Sequence, residues 1–572
     1  MALFIWSREC IHKSTLFFAA AAVAAMTACT AVPTTTPVTS SPAPALTPGS
    51  ERPTTAPPSD SPSPDPGLLP LGWGPEQRDQ DAAAAAVTAM SVEQKAGQVL
   101  IPLYAGTDAE AQAATIERLH LAGSIIMGDN VPLDARGQAD PAAMATVNAR
   151  LAQATKADGR PWPGLIGVDQ EGGIVARLGA PLTEWPTALS YGAAGNVPLA
   201  KDAGRALAAE LGSLGFTVDF APVADVTMGP ADPTIGARSM SGNPDAAGAL
   251  AVGFSQGMQE AGVLPALKHF PGHGSVTVDS HQDLPVQPAG IAELEARDWK
   301  PFRAAISAGV PMVMTGHIAV PALEPGVPAS LSGPTYAALR GMGFKGVAVT
   351  DALNMGAVQK QYPGGSAATA ALAAGADLLL MPTDVGQSHA AIVSAVAAGT
   401  LPAARLDEAA IRVATMMIWR GRVTSPPAGS APASAAPGSG GDISARVSAA
   451  AVTVLSGHCG TPIVQGSLRI AGGSAEDRAR FEAAAAKAGL GTGAGPLVSL
   501  IGYAGRPVGG DIAVALDAPW PLKDSSAPVK IALYGRTPGA FDALVAVLAG
   551  KAAAPGKLPA AVGSYPAGTG CP

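Results

Sequence analysis

The sequence is poor in charge and in aromatic rings: of 572 residues, 14% are Asp, Glu, Lys or Arg and 4% are Phe, Trp or Tyr, against a usual charged share of about 25%. A net charge of −8 over this length provides no basic footprint for nucleic acid, so no nucleic-acid partner is expected. Cysteine is scarce as well. Of Cys10, Cys29, Cys459 and Cys571, none stands in Cys-x-x-Cys spacing, and His-Glu-x-x-His does not occur, so neither a catalytic metal nor a cofactor is expected. A long apolar run is also missing. The N-terminal stretch from Thr15 to Met26 is too short to span a bilayer comfortably, and with Arg8, His12 and Lys13 ahead of it, it reads as a secretory signal.

What the chain has in quantity is hydrophobic residues, 48% of the total, enough for large cores. They are unevenly spread. Residues 1–28 read as the signal, and Met26-Thr27-Ala28-Cys29 resembles a bacterial lipobox in which Cys29 becomes the lipid-modified first residue; secretion with ordinary cleavage is the alternative. The expected location is therefore outside the cytoplasm, anchored to the cell membrane as a lipoprotein or secreted. Residues 29–68 are dominated by Thr, Pro, Ser and Ala and read as a disordered tether. A second stretch of that kind, 424–441, divides two folded units, 69–423 and 442–572. The two cysteines of the mature body, Cys459 and Cys571, both fall in the later unit, where a disulfide or two buried thiols are the alternatives.

The larger unit alternates short apolar, often β-branched runs with Ala-rich segments of helical spacing. The runs are Gln98 to Pro102, Gly123 to Met127, Leu165 to Val168, Thr217 to Ala221, Leu264 to Leu267, Met312 to Thr315, Val347 to Thr350 and Asp377 to Met381. Strands alternating with helices imply parallel βαβ units, and this number of them closes a (β/α)8 TIM barrel; an open doubly wound sheet is the alternative. Ser91 followed by Gln94 marks a helix start as a capping box. Polar residues fall just after the runs: Asp169, Gln170 and Glu171, then Asp225, Lys268 with His269, His317 and Asp351. Barrel enzymes build their sites at the C-terminal ends of strands, so these residues are expected to converge on one pocket.

The densest chemistry lies in KHFPGHGSVTVDSH, Lys268 to His281. Asp279 and His281 stand two apart, so in an extended loop their side chains share one side and the carboxylate can orient the imidazole for proton transfer. A solvated polar loop is the alternative. Asp351, directly after an apolar strand, is either a helix N-cap for the segment from Ala352 or a nucleophile for an anomeric carbon.

At these residues the chain resembles glycoside hydrolase family 3, in its β-N-acetylglucosaminidase branch. The resemblance runs through MSVEQKAGQ (90–98), DQEGGIVARL (169–178), VDFAPVADV (218–226), IGARSMSGNP (235–244), KHFPGHGSVTVDSH, VMTGHI (313–318), VTDALNMGA (349–357) and GADLLLMP (375–382). It implies Asp351 as the nucleophile, His281 oriented by Asp279 as general acid and base, and Asp169, Arg177, Arg238, Lys268 and His269 as sugar-binding residues. Ile174, Met240 and Ser275 depart from the commonest motif, where Arg, Phe and Asp are usual. His273 and His317 are equally readable as substrate contacts or packed histidines, and Glu171 as an internal ion pair. The smaller unit, with apolar runs at Ala451 to Leu455, Leu497 to Ile501, Asp511 to Leu516 and Val529 to Tyr534, reads as an α/β sandwich that buttresses the barrel.

The resemblance implies a retaining exo-β-N-acetylglucosaminidase acting on GlcNAc-containing glycans, and export points to cell-wall fragments, muropeptides among them. A β-glucosidase, a GlcNAc phosphorylase and a non-catalytic sugar-binding lipoprotein are the rivals.

Overall fold

The computed structural model describes residues 66–424, 435–506 and 509–572. The expected signal, the expected lipidation site Cys29 and most of the expected tether lie outside the described residues. The apolar runs of the larger unit form parallel strands β1 (Leu100–Ile101), β2 (Gly123–Ile126), β3 (Leu165–Val168), β4 (Val218–Asp219), β5 (Leu264–Phe270) and β6 (Met312–Thr315). An unanticipated antiparallel hairpin follows, β7 (Ala319–Val320) with β8 (Glu324–Pro328), before β9 (Val347–Thr350) and β10 (Leu379–Leu380).

Strands β2, β3, β4, β5, β6 and β9 make one parallel sheet in that order, and β1 pairs with β10. A parallel bridge between Val349 and Leu378 carries β9 onto β10, and the Ile125 amide donating to Pro102 O at 3.1 Å ties β1 to β2, which closes the ring. The strands are buried on both faces, which is why they read as unbroken apolar runs instead of alternating ones. Helices between them start where the sequence supplies caps: the Ser91–Gln94 box forms, and Asp108, Asp140, Asn196 and Asn243 each accept a first-turn amide.

The second unit is a five-stranded sheet of β11 (Thr453–Ser456), β12 (Ser467–Gly472), β13 (Gly491–Ile501), β14 (Ile512–Ala515) and β15 (Val529–Ala532), ordered β11-β15-β14-β13-β12, with only β11 antiparallel to its neighbour. The period of two decides its packing. Val498, Ile512, Val514 and Ile531 face the helices that carry Phe481 and Phe541. Ala513, Ala515 and Ala532 face the other way, onto a cluster shared with Leu189, Ala193 and Ala237 of the barrel. Strand β12 is absent from the apolar runs because it is an edge strand with Arg469 exposed and most of its side chains outside the core. The disulfide alternative is the one present: Cys459 and Cys571 are bonded, 112 residues apart.

The segment boundaries differ at their edges from those expected. Pro66–Leu68, within the expected tether, forms a 3-10 turn. Thr424 closes the barrel's last helix and Gly441 opens the first helix of the second unit, while the Gly440 amide donates to Glu210 Oε1 at 2.8 Å.

Candidate active site

The strand ends deliver Asp169, Glu171, Lys268, His269 and Asp351 to one cavity of about 310 Å³, whereas Asp225 and His317 are buried behind its lining and Gln170 faces another cleft, so the expected convergence holds for five of the eight. Asp351, His281, Asp169, Arg177, Arg238, Lys268 and His269 all line it; Asp279 stands behind His281 and is not part of the lining. One wall is an ion network that the chain assembles from three loops. Lys268 Nζ lies 2.8 Å from Asp169 Oδ1 and 2.7 Å from Glu171 Oε1. Arg238 grips the same Glu171 bidentately, with Nε and Nη2 each 2.8 Å from an oxygen, and Arg177 Nη2 stands 3.4 Å from Asp169 Oδ2. Burial opposes ionisation of Glu171, but Arg238 and Lys268 outweigh it and hold the carboxyl well below the ordinary glutamate range.

Glu171 is therefore the counter-charge for two cations, Lys268 buried and Arg238 half-buried. Glu171→Gln keeps the volume and removes that charge, and is expected to lower the unfolding free energy by about 3 kcal/mol, the scale of breaking a buried pair by removing one partner. Denaturant melts at neutral pH measure it. In the wild type the ionised Glu171 stabilises at all pH values above the ordinary glutamate pKa, and this contribution is lost only in strong acid, as pH falls through the depressed value.

Beneath this wall Asp219 is fully buried; burial raises its carboxyl far above the usual range, with one oxygen accepting the Gln170 amide at 2.9 Å. Asp225, also buried, anchors the next residues. Its Oδ2 lies 2.7 Å from His269 Nδ1 and its Oδ1 accepts the His273 amide at 2.7 Å. Burial opposes ionisation of Asp225, yet His269 outweighs it and the carboxyl lies below its ordinary value. His269 thus has one nitrogen fixed and presents its ring to the cavity.

At the floor, Asp351 Oδ1 accepts the Ala352 amide at 2.8 Å and the Asp351 amide donates to Thr315 O at 2.9 Å. Burial works against the charge, but the imidazoles of His317 and His269, the Ala352 amide and His281 outweigh it, so the carboxyl lies well below the ordinary range. The N-cap reading fails: no helix begins at Ala352, the next one being Gly356–Gln359 with Met355 at its N-cap, and Asp351 accepts only the amide of its neighbour in a turn, which leaves its other oxygen without a hydrogen-bond partner among the described residues. His317 is a packed histidine. Its Nε2 lies 2.8 Å from Ala352 O, which only accepts, so that nitrogen carries the proton, while Nδ1 lies 2.6 Å from Ser330 Oγ. Both nitrogens are satisfied in the neutral form, and burial holds the ring below its ordinary pKa. His317 thus holds Ala352 by its carbonyl, the residue whose amide donates to Asp351. His273, pushed down to about 4 chiefly by burial, is likewise neutral, with Nε2 2.9 Å from Ser280 Oγ.

The dyad forms, in a conformation other than the expected extended one. The chain turns at 280–282, and Asp279 Oδ1 accepts both the His281 amide at 3.0 Å and, at 2.7 Å, a bond from His281 Nδ1. A carboxylate two residues before an amide closes such a local turn by itself, which an alternating strand does not allow. The His281 side chain is 62% exposed, open to the cavity mouth. Its loop rests on the segment that follows Asp351: the Gly356 amide donates to His281 O at 3.3 Å and Lys360 Nζ to Gln282 O at 3.0 Å. A Cβ on Gly356 would stand 2.9 Å from both His281 O and Gln282 O, so glycine permits this approach.

The sequence reading left out the apolar walls, Met127, Val175, Met314, Met355, Leu380 and Met381, and the polar Thr234 and Asn354. Met127 and Met381 stand one residue past β2 and β10, the position that carries charge on other strands, and an apolar residue there does not stand out from its run. Of the departures from the motif, Ile174 points away from the cavity into a cleft between the two units, Met240 is buried, and Ser275 donates to Asp298 Oδ1 at 2.6 Å.

Residues 91–416 match the model described as the glycosyl hydrolase family 3 N terminal domain. A β-hexosaminidase, LpqI, of Mycobacterium tuberculosis is 38% identical over 270 residues, which is 46% of this chain and 69% of that protein. The solved structure of a family 3 β-N-acetylglucosaminidase from a Paenibacillus species superposes with a TM-score of 0.74 at 29% identity, covering 82% of this chain and 99% of its own. The structure of M. tuberculosis LpqI matches 59% of this chain and 96% of its own length, with a TM-score of 0.53 and 33% identity. With more than half of its length matched by the family's domain, and with a (β/α)8 barrel that gathers the motif residues at one strand-end cavity, this chain belongs to glycosyl hydrolase family 3 and is a glycoside hydrolase.

Proposed function

We propose that the protein is a retaining exo-β-N-acetylglucosaminidase, with Asp351 as nucleophile and His281, oriented by Asp279, as general acid and base. The observation that carries this reading is the pairing, in one cavity, of an ionised carboxylate at the floor with a His–Asp dyad on a loop that leans on the nucleophile's own segment. The cavity is at the low end of the roughly 300–1,000 Å³ range of ligand sites, which suits one terminal sugar and hence exo cleavage.

In the first step an Asp351 oxygen attacks the anomeric carbon, the glycosidic C–O bond breaks, and the proton on His281 Nε2 passes to the departing oxygen. In the second, His281 takes a proton from water, whose oxygen attacks the same carbon and displaces Asp351, so configuration is retained. Asp279 accepts from His281 Nδ1 throughout and steadies the imidazolium form. Asp169, Arg177, Arg238, Lys268 and His269 provide the donors and acceptors for the sugar's hydroxyls. The relatives named as hexosaminidases support GlcNAc as that sugar. The signal-like N-terminus and Cys29 support an extracytoplasmic, lipid-anchored location and cell-wall fragments bearing GlcNAc–MurNAc as the natural substrate.

Nitrophenol release from an aryl β-N-acetylglucosaminide and the matching β-glucoside tests the reading. Selectivity for the first by at least about tenfold is expected, the scale of one to two lost substrate contacts. Equal turnover, or preference for the glucoside, contradicts it, and a folded protein that consumes neither is a sugar binder. A second acceptor is tested in the same assay. A neutral imidazole, unlike a carboxylate, carries no standing negative charge to repel phosphate, so products are compared with and without phosphate, sugar 1-phosphate marking phosphorolysis.

A further inference from the structure

The sandwich unit contributes no residue to the catalytic dyad, yet it clamps one wall of the cavity. Arg238 lies on a 3-10 turn, Gly236–Arg238, within the segment 227–242. Inside the barrel this segment is tied by Asp232, whose carboxylate accepts the amides of Ile235 at 2.9 Å and Gly236 at 3.0 Å and the hydroxyl of Thr227 at 3.0 Å. From the other side the sandwich presses on it. Pro559 O accepts the Gly242 amide at 3.0 Å and the Ser241 hydroxyl at 3.1 Å, and Ala237 joins the apolar cluster of Ile501, Trp520 and Tyr503. The tightest contact is at the turn itself. A Cβ built on Gly236 would stand 2.0 Å from the Tyr503 hydroxyl, 3.3 Å from the carbon bearing it and 3.7 Å from Trp520 Nε1.

We propose that Tyr503 of the sandwich unit is a positioning residue for the sugar-binding wall, pressing the Gly236–Arg238 turn into the register from which Arg238 holds Glu171. The path is short. Arg238 grips Glu171, and Glu171 holds Lys268, so a shift of the turn moves the donors that meet the sugar. The effect is therefore on binding more than on the chemical step, because Asp351 and His281 are held by other segments. The inference rests on the reading of Arg238 and Lys268 as sugar-wall residues. It assigns the second unit a share in substrate recognition that pure buttressing lacks.

The test is a compensation experiment on the whole chain. Gly236→Ala drives a methyl group into the Tyr503 hydroxyl and is expected to raise KM about tenfold or more with a smaller change in kcat, since ångström-scale misplacement of a binding wall is costly. Tyr503→Phe removes the clashing oxygen, so the double variant is expected to recover much of the KM; the part not recovered reflects the φ of +42° at Gly236. A generic loss of stability would not be relieved by a second substitution across the domain boundary. Kinetics use whichever of the two aryl glycosides the wild type consumes. Hydrogen exchange, read without substrate, is expected to quicken at amides 232–238 in Tyr503→Ala and, apart from the Ala237 amide, which bonds the Tyr503 oxygen, to stay near wild type in Tyr503→Phe. A wild-type KM in Gly236→Ala, or a double variant no better than the single, overturns the proposal. If Gly236→Ala does not fold, unaltered exchange in Tyr503→Ala overturns it. A wild type that consumes neither glycoside sinks the catalytic reading and leaves the exchange comparison to decide this one.

Discussion

Asp351→Ala is expected to lower kcat by at least about four orders of magnitude, on the scale of the roughly 10⁶-fold loss that removal of a covalent nucleophile can bring. The variant should also melt at or above the wild-type temperature. The carboxylate is half-buried, and its desolvation opposes its charge, while the surrounding imidazoles and the Ala352 amide favour the ionised form. Replacing it removes a partly desolvated charge at the cost of one bond, to the amide of Ala352 in a turn that His317 also holds. Activity and stability therefore move in opposite directions, which separates the loss of a nucleophile from the loss of a fold. A parallel fall in both would assign Asp351 to the architecture.

His281→Ala is expected to show a loss that depends on the leaving group. For glycosides whose departing oxygen needs a proton, kcat/KM should fall by about 10²–10⁴-fold, the usual contribution of general acid–base catalysis. For a dinitrophenyl glycoside, whose leaving group departs unprotonated, the first step should be little affected, and a small nucleophile such as azide should restore the second. The pH profile carries a second check. Burial would raise the Asp279 carboxyl, but the amide and ring of His281 outweigh it and keep it below its ordinary value. Asp351 is also depressed and stays ionised through the same range, so neither carboxylate is expected to add an acid limb to kcat/KM near neutrality. A carboxylate limb near neutrality would place the nucleophile elsewhere.

The residues that stood out in the sequence are those whose position alone is informative. A charge directly after a run buried on both faces, as at Asp169, Lys268 and Asp351, has no explanation in packing, and the barrel's symmetry brings such positions together. The Asp279–His281 pair was also legible, because its partners are two residues apart, although the turn that joins them was not. What stayed hidden depends on contacts between distant segments. Glu171 and Arg238 are 67 residues apart, and only the folded chain shows that one carboxylate serves both Arg238 and Lys268. Asp225 holding His269, His317 held by Ser330 and Ala352, and Tyr503 against Gly236 are of the same kind. Strand β12 was missed because an edge strand buries too little to keep an apolar pattern.

The most direct measurement of the central proposal is to trap the glycosyl enzyme with a fluorinated N-acetylglucosaminide that slows the second step, followed by tryptic mapping. Cleavage after Lys345 and Lys360 releases GVAVTDALNMGAVQK, in which Asp351 is the only side-chain carboxylate. The account predicts one sugar mass on this peptide, absent from Asp351→Ala. A label on any other peptide, or turnover of the probe with inverted configuration and no adduct, contradicts it.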